Sequence, residues 1–162
     1  MKLLLIALAV LACVFGVVYF VKSRIATTYQ IAPTDISRVI AQLRKSKEDI
    51  AWAQMNFLAD SNDQATNVSI DYSVNKGVLE FNWTLLNPRN ISDKHRVIEL
   101  LQSNGHSYVE LVAPNGISYI RVVDGNLENI GNLILDNIYH KGSTLELIGD
   151  GFDWPEDGKR KW

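Results

Sequence analysis

The chain has 162 residues, 47% of them hydrophobic and 21% charged, with a formal net charge of −2, a usage that supports a packed core and excludes wholesale disorder. Its single cysteine, Cys13, lies inside an apolar stretch, which excludes a disulfide framework and any cysteine-based metal site in the rest of the chain. Residues 22–47 carry six basic side chains against one acidic, whereas residues 60–157 carry six basic against fifteen acidic; so acidic a body excludes nucleic acid as the main ligand, because phosphate binding needs a concentrated positive surface.

The first element is "LLLIALAVLACVFGVVYFV", residues 3–21, nineteen residues without a charge. At about 1.5 Å per residue it covers about 28 Å, close to the hydrocarbon thickness of a bilayer. Tyr19, Phe20, Lys22 and Arg24 supply aromatic and basic interface anchors at its end. A secretory signal has an apolar region of about 7 to 15 residues, and here the apolar character runs on past Ala9 and Ala12. "VLAC" at 10–13 has the look of a lipidation box at Cys13, but eight further apolar residues follow where a polar tether is usual. Residues 1–21 therefore read as a retained single-pass transmembrane anchor of the plasma (inner) membrane, with the lipid bilayer as the first partner.

Lys22 and Arg24, with Arg38 beyond them, outweigh Lys2, so the positive-inside rule places the soluble body in the cytoplasm. The alternative is extracytoplasmic or periplasmic, since a short tail carrying Lys2 also suits a signal anchor that exports the body of the chain. Residues 22–34 form a basic connector ended by Pro33. Thr34 or Asp35 then caps an amphipathic stem helix predicted over 35–59, where Ile36, Leu43, Ile50 and Phe57 recur every seven residues. That seam packs on the protein's own sheet, or pairs with a second copy or a partner helix.

Residues 67–149 alternate short strand patterns with two amphipathic helices. "VSIDYSV" and "VLEFNWTL" flank "NKG", and "SYVELVA" and "ISYIRVV" flank "PNG", so each pair reads as a hairpin. Helices are predicted over 92–103, stopping at Gly105, and over 126–140, with Leu127, Ile130, Ile134 and Ile138 as an inward stripe. With "TLELI" at 144–148 the order is ββαββαβ. The fold class is α+β: anchor, stem helix, then two layers with a mostly antiparallel or mixed sheet and helices on one face.

An even-numbered loop in the first hairpin brings Val68, Ile70 and Tyr72 onto one face with Leu79, Phe81 and Trp83. A two-residue turn at Asn115 and Gly116 sets Glu110 opposite Arg121 and Leu111 opposite Ile120. The other sheet face is then polar, and Tyr108, Glu110, Tyr119, Arg121, Asn82 and Glu146 are its candidate binding residues, the aromatic and arginine side chains supplying contact area and directed hydrogen bonds. In the tail, 150–162, Phe152, Trp154 and Trp162 either fold back as a lid or leave "KRKW" free as a linear motif or headgroup contact.

His95, His106 and His140 lack the short spacing of converging metal ligands, and no phosphate loop or nucleophile elbow occurs. Asp71 and Glu80 meet across the first hairpin, where one carboxyl is open to a raised pKa. Asn67, Asn82 and Asn90 head sequons that matter only in a eukaryotic lumen. The sequence thus points to a membrane-anchored binding or adaptor module with a protein partner or self-association, without catalysis, cofactor, metal or inferred small-molecule ligand. The alternatives are an assembly protein self-associating through span and stem, and a hydrolase using surface carboxylates.

Overall fold

The computed structural model describes residues 27–60, 63, 66–139 and 144–154. The predicted anchor, most of the connector, His140 and Trp162 lie outside the described residues, and no described helix is long and apolar enough to cross a membrane. Seven strands form one antiparallel sheet: β1 (Thr27–Ile31), β2 (Ile50–Leu58), β3 (Asn67–Asn75), β4 (Val78–Thr84), β5 (Val109–Val112), β6 (Ser118–Val122) and β7 (Leu145–Asp150). Their order across the sheet is β1-β7-β2-β3-β4-β6-β5. Four α-helices accompany them: α1 (Ile36–Lys45), α2 (Pro88–Ser92), α3 (Lys94–Ser103) and α4 (Leu127–Ile134), the last continued by a π turn over Leu135–Tyr139.

The stem helix predicted over 35–59 is half helix and half strand. After α1 the chain opens at Ser46, whose backbone is extended at ψ 139°, and from Ile50 it pairs with β3 on one side and β7 on the other. The physical reason is a change of period: Ala51, Ala53, Met55 and Phe57 are buried at every second position, which only a strand achieves. Ile36 and Leu43 are buried on α1, Phe57 is buried on β2 and Ile50 is 64% exposed, so the seven-residue seam is not one line in space. β1 likewise falls where a connector was expected, and the element order gains two strands and a short helix over ββαββαβ.

The first hairpin closes on Lys76 and Gly77, with φ of 49° and 80°, and Asn75 opposes Val78. This is the two-residue turn whose twist matches paired strands. Val68, Ile70, Tyr72, Leu79, Phe81 and Trp83 are all buried in one core, as the predicted register requires. The second hairpin differs from expectation: Glu110 opposes Ile120 and Val109 opposes Arg121, because the loop holds three residues, with Ala113 N–H bonded to Ile117 O and Gly116 at φ +83°. One added loop residue shifts the register by one and moves alternate side chains to the other face.

The helices supply the second layer. Val39 and Ile40 of α1, Val97 and Leu101 of α3, and the stripe Leu127, Ile130, Ile134 and Ile138 all join the core. α3 ends in a Schellman motif: Gly105 (φ +77°) donates to Gln102 O, and His106 N–H donates to Leu101 O. Where the layers meet, Tyr72 OH donates to Leu127 O at 3.0 Å and accepts from Gly131 N–H at 2.9 Å. Asn90, fully buried, accepts from Ser69 N–H and donates to Ser69 O and Thr84 O, and its own carbonyl accepts from Trp83 Nε1. That burial leaves no room for a glycan on this sequon in the folded chain.

These junctions generate a stability order. Tyr72→Phe removes two buried hydrogen bonds, to Leu127 O and from Gly131 N–H, groups four apart on α4 that can then bond each other, and is expected to cost about 1 kcal/mol, while Asn90→Ala, which strands one N–H and two carbonyls, costs more. Denaturant unfolding of the full chain in micelles checks both, and equal midpoints for Asn90→Ala and the parent chain would contradict the assignment.

Candidate functional site

Because neighbours along a strand point to opposite faces, the register that sends Tyr72, Phe81 and Trp83 to the helices sends Asp71, Asn82 and Thr84 the other way. Asp71 opposes Asn82, Ser73 opposes Glu80, Trp52 opposes Ser73, Gln54 opposes Asp71, Arg121 opposes Asn82 and Tyr119 opposes Thr84. These side chains share the sheet face without helices. They line a groove of about 410 Å³ whose floor is β3 and β4, with Trp52 at one wall, Tyr119 and Arg121 at the other, and Ala113, Asn115 and Ile117 of the second hairpin at its margin.

Of the predicted binding face, the structure brings Asn82, Tyr119 and Arg121 together in this groove. Glu146 is on the same face but two strands away, opposite Asn56 on β2 and Gln30 on β1. Tyr108 and Glu110 belong to the helix side. Tyr108 packs against the core, and Glu110 makes an ion pair with Lys94 of α3 at 2.7 Å. The three-residue loop is the cause, since the shifted register carries both residues across the sheet.

Arg121 is held from two sides. Its Nε lies 3.2 Å from Glu80 Oε2, one terminal nitrogen donates to Tyr119 OH at 2.9 Å, and its guanidinium carbon lies 5.4 Å from the Tyr119 ring centre. Ser73 connects the two floor strands, accepting from Asn82 Nδ2 at 3.0 Å and facing Glu80 Oε2 at 3.5 Å. Asp71 Oδ2 accepts from Thr84 Oγ1. Asp71 and Glu80 are therefore not a facing dyad: each has its own cross-strand partner.

Asp71 is the perturbed group of the site. Burial raises its pKa to about 6, against the pull of hydrogen bonds from Thr84 and Gln54, which favour the carboxylate. Asp71 Oδ1 and Asn82 Oδ1 are buried and accept no hydrogen bond of good geometry. Each of the two opposed floor residues has a partner within the floor, Thr84 for Asp71 and Ser73 for Asn82. Asp71 was expected on this polar face as a candidate carboxylate, whereas Trp52 and Gln54 were not singled out. The signal for those two was the alternation through Ala51, Ala53 and Met55, which sends the residues between them to the open face.

Other features are occupied by the fold. Trp154 is buried beside Tyr29, with ring centres 6.3 Å apart and the Arg38 guanidinium 5.0 Å from its ring; Phe152 packs against the core over Gly149. A cleft of about 590 Å³ at the end of α1 is lined by Lys45, Lys47, Asp150 and Asp153 and is crossed by the Ser46 hydroxyl bonding to Gly151 O. His95 pairs with Glu99 at 3.0 Å on an exposed helix face, His106 is buried, and no group of three metal-ligating side chains converges among the described residues. Comparison of the chain with protein-family models, curated proteins and solved structures gives no match.

The raised pKa has a stability consequence of definite sign. The folded state holds a proton on Asp71 that the unfolded chain, near 3.8, releases, so this residue's contribution is fully present below about pH 4 and is lost as pH rises through about 6. A shift of that size corresponds to at most about 3 kcal/mol. Asp71→Asn keeps an acceptor for Thr84 without the charge, and it is expected to raise stability at pH 7 and to flatten the pH dependence between 4 and 6. Denaturant midpoints at pH 4, 5, 6 and 7 check this; unchanged slopes in the variant would contradict it.

Proposed function

We propose that the protein is a single-pass, membrane-anchored binding module that holds its domain beside the bilayer and takes a protein partner on the open face of its sheet. The observation that carries this reading is the groove on that face, where aromatic and charged walls flank a floor of polar side chains. Aromatic and arginine side chains around a desolvated polar centre are the make-up of interface hot spots. The helix layer is spent on the core, and Ile36, Leu43 and Phe57, which the self-association reading requires at a surface, are buried within it.

Membrane attachment rests on the length and apolarity of residues 3–21 and on the basic side chains that come after them, which anionic headgroups attract at about 1 kcal/mol each near the surface. The cytoplasmic side is the orientation that this charge favours.

Hydroxyl-radical footprinting checks the binding face. In native membranes Trp52 and Tyr119 are expected to label several-fold more slowly than in purified full-length chain in micelles, while Ile98 and Leu100 on α3 label alike in both. Equal labelling of Trp52 and Tyr119 in the two preparations would remove the open face as the docking surface. A reporter fused after Trp162 is expected to be active on the cytoplasmic side, and activity across the membrane reverses the orientation.

A further inference from the structure

The chain enters the sheet from the proposed anchor at one end of the strands. β1 starts at Thr27, which is level with Gly149 of β7 and through it with Ala53 of β2. β2 begins three residues beyond that level, at Ile50, where it meets Asn75 of β3, and Asn75 meets Val78 of β4. At about 3.4 Å per residue, the turn at Lys76 and Gly77 projects about 10 Å past the start of β1, on the side from which the connector arrives. Six peptide steps separate Val21 from Thr27, a reach of at most about 20 Å. A bilayer holding residues 3–21 therefore lies within that distance of Thr27. The loop of the second hairpin, residues 113–117, lies at the opposite end, beyond Tyr119 and Thr84.

What the near end exposes suits a membrane surface. Ile50 is 64% exposed and Val78 52%, and both stand on the open face on either side of Asn75, two strand spacings or about 10 Å apart. Between them at the tip, Lys76 adopts the left-handed region at φ 49°, which costs a lysine more than a glycine or an asparagine. The turn thus holds an ammonium where glycine would fold more easily. The tip is fastened to its surroundings: Lys76 N–H donates to Asp49 O at 2.7 Å, the Ser46 hydroxyl donates to Gly151 O, and Ser46 Oγ accepts from Glu48 N–H at 3.1 Å. Lys45 and Lys47 flank it, and Glu48, Asp49, Asp150 and Asp153 share the same end. Charge is therefore mixed, and the apolar side chains make the contact, with lysine stems lying along it.

We propose that this end of the sheet is a bilayer contact, in which Ile50 and Val78 enter the headgroup region, Lys76 stays among the headgroups, and the strands stand steep to the membrane. The proposal rests on the reading of residues 3–21 as a retained anchor and names the surface that meets the lipid. Ile50 also lines the near end of the groove, and Tyr119, opposite Thr84, lines the far end. The groove then rises from the bilayer and opens sideways, so that a partner reaches it along the plane of the membrane.

The test places full-length, isotope-labelled chain, one copy per disc, in phosphatidylcholine nanodiscs containing a gadolinium-chelating headgroup lipid, and reads paramagnetic relaxation at assigned amides. A tether alone makes Thr28, next to the connector, relax faster than the tip. The expected result is the reverse, with Lys76, Gly77 and Val78 relaxing about threefold faster than Thr28 and about tenfold faster than Asn115 and Gly116, as a projection of about 10 Å requires. Ile50→Glu combined with Val78→Glu is expected to restore the tether order while the chain stays in the disc and the remaining amide spectrum is unchanged. Ile50→Thr combined with Val78→Thr keeps β-branched residues in both strands and is expected to remove about half of the excess.

Thr28 relaxing faster than the tip in the parent chain, or variants that leave the order unchanged, would overturn the proposal and leave the anchored reading standing. So would an order that arises only in discs holding two copies, which assigns Ile50 and Val78 to a second chain. A chain that elutes apart from the discs and relaxes nowhere rejects the anchor and the contact together.

Discussion

Everything on the open face depends on the register of β3 against β4. The turn at Lys76 and Gly77 pairs Asn75 with Val78, and from that pairing each later residue of the hairpin is assigned a side. Tyr72, Phe81 and Trp83 go to the core, and Asp71, Asn82 and Thr84 go to the groove. A slip of one residue that turned β4 over would bury Glu80, Asn82 and Thr84 among the helices and expose the rings of Phe81 and Trp83. The energy of the aromatic core therefore enforces the position of the polar floor, and Tyr72 adds direction by bonding to both Leu127 and Gly131 of α4. The polar face is a by-product of packing on the other side of the same strands.

How far the sequence shows this depends on how local each determinant is. β3 and β4 are legible because their alternation is strong and their loop short. β5 and β6 are equally legible as strands, but "PNG" suits a two-residue turn at Asn115 and Gly116 as well as a three-residue loop with Gly116 in the left-handed region. The choice decides the faces of Tyr108 and Glu110, and it is settled by contacts outside the hairpin: Lys94 on α3 receives Glu110, and Tyr108 reaches the core. The segment 35–59 fails for a related reason. Ala51 and Ala53 bury little area, so their two-residue period is weak beside the seven-residue coincidence of Ile36, Leu43, Ile50 and Phe57. In the fold that period prevails because β3 and β7 each present a strand edge for β2 to satisfy, and an unpaired central strand would leave a row of backbone groups without partners.

Burial of Asp71 belongs to the same class of non-local facts. Its apolar sequence neighbours, Ile70 and Tyr72, point to the opposite face and do not shield it. The desolvation comes from β2, β4 and the second hairpin converging on one side of the sheet, and those elements lie far apart in sequence. Trp52 is similar, since its position in a groove wall follows from β2 being a strand. By contrast Trp154 was readable as an aromatic too large to leave exposed, and it is buried against Tyr29 and Arg38.

The polar groups of the two faces differ in what burial costs them. On the helix side, the side-chain polar atoms of Asn90 and Tyr72 are bonded to backbone groups. On the open side, burial penalises the Asp71 carboxylate by more than its hydrogen bonds return, and at neutral pH that arrangement destabilises the chain. A protonated Asp71 relieves the charge, and the cost is set by the same burial that raises the carboxyl's pKa. A more hydrated Asp71 would titrate nearer its ordinary range, whereas a hydrophobic residue in its place would stabilise the fold at neutral pH.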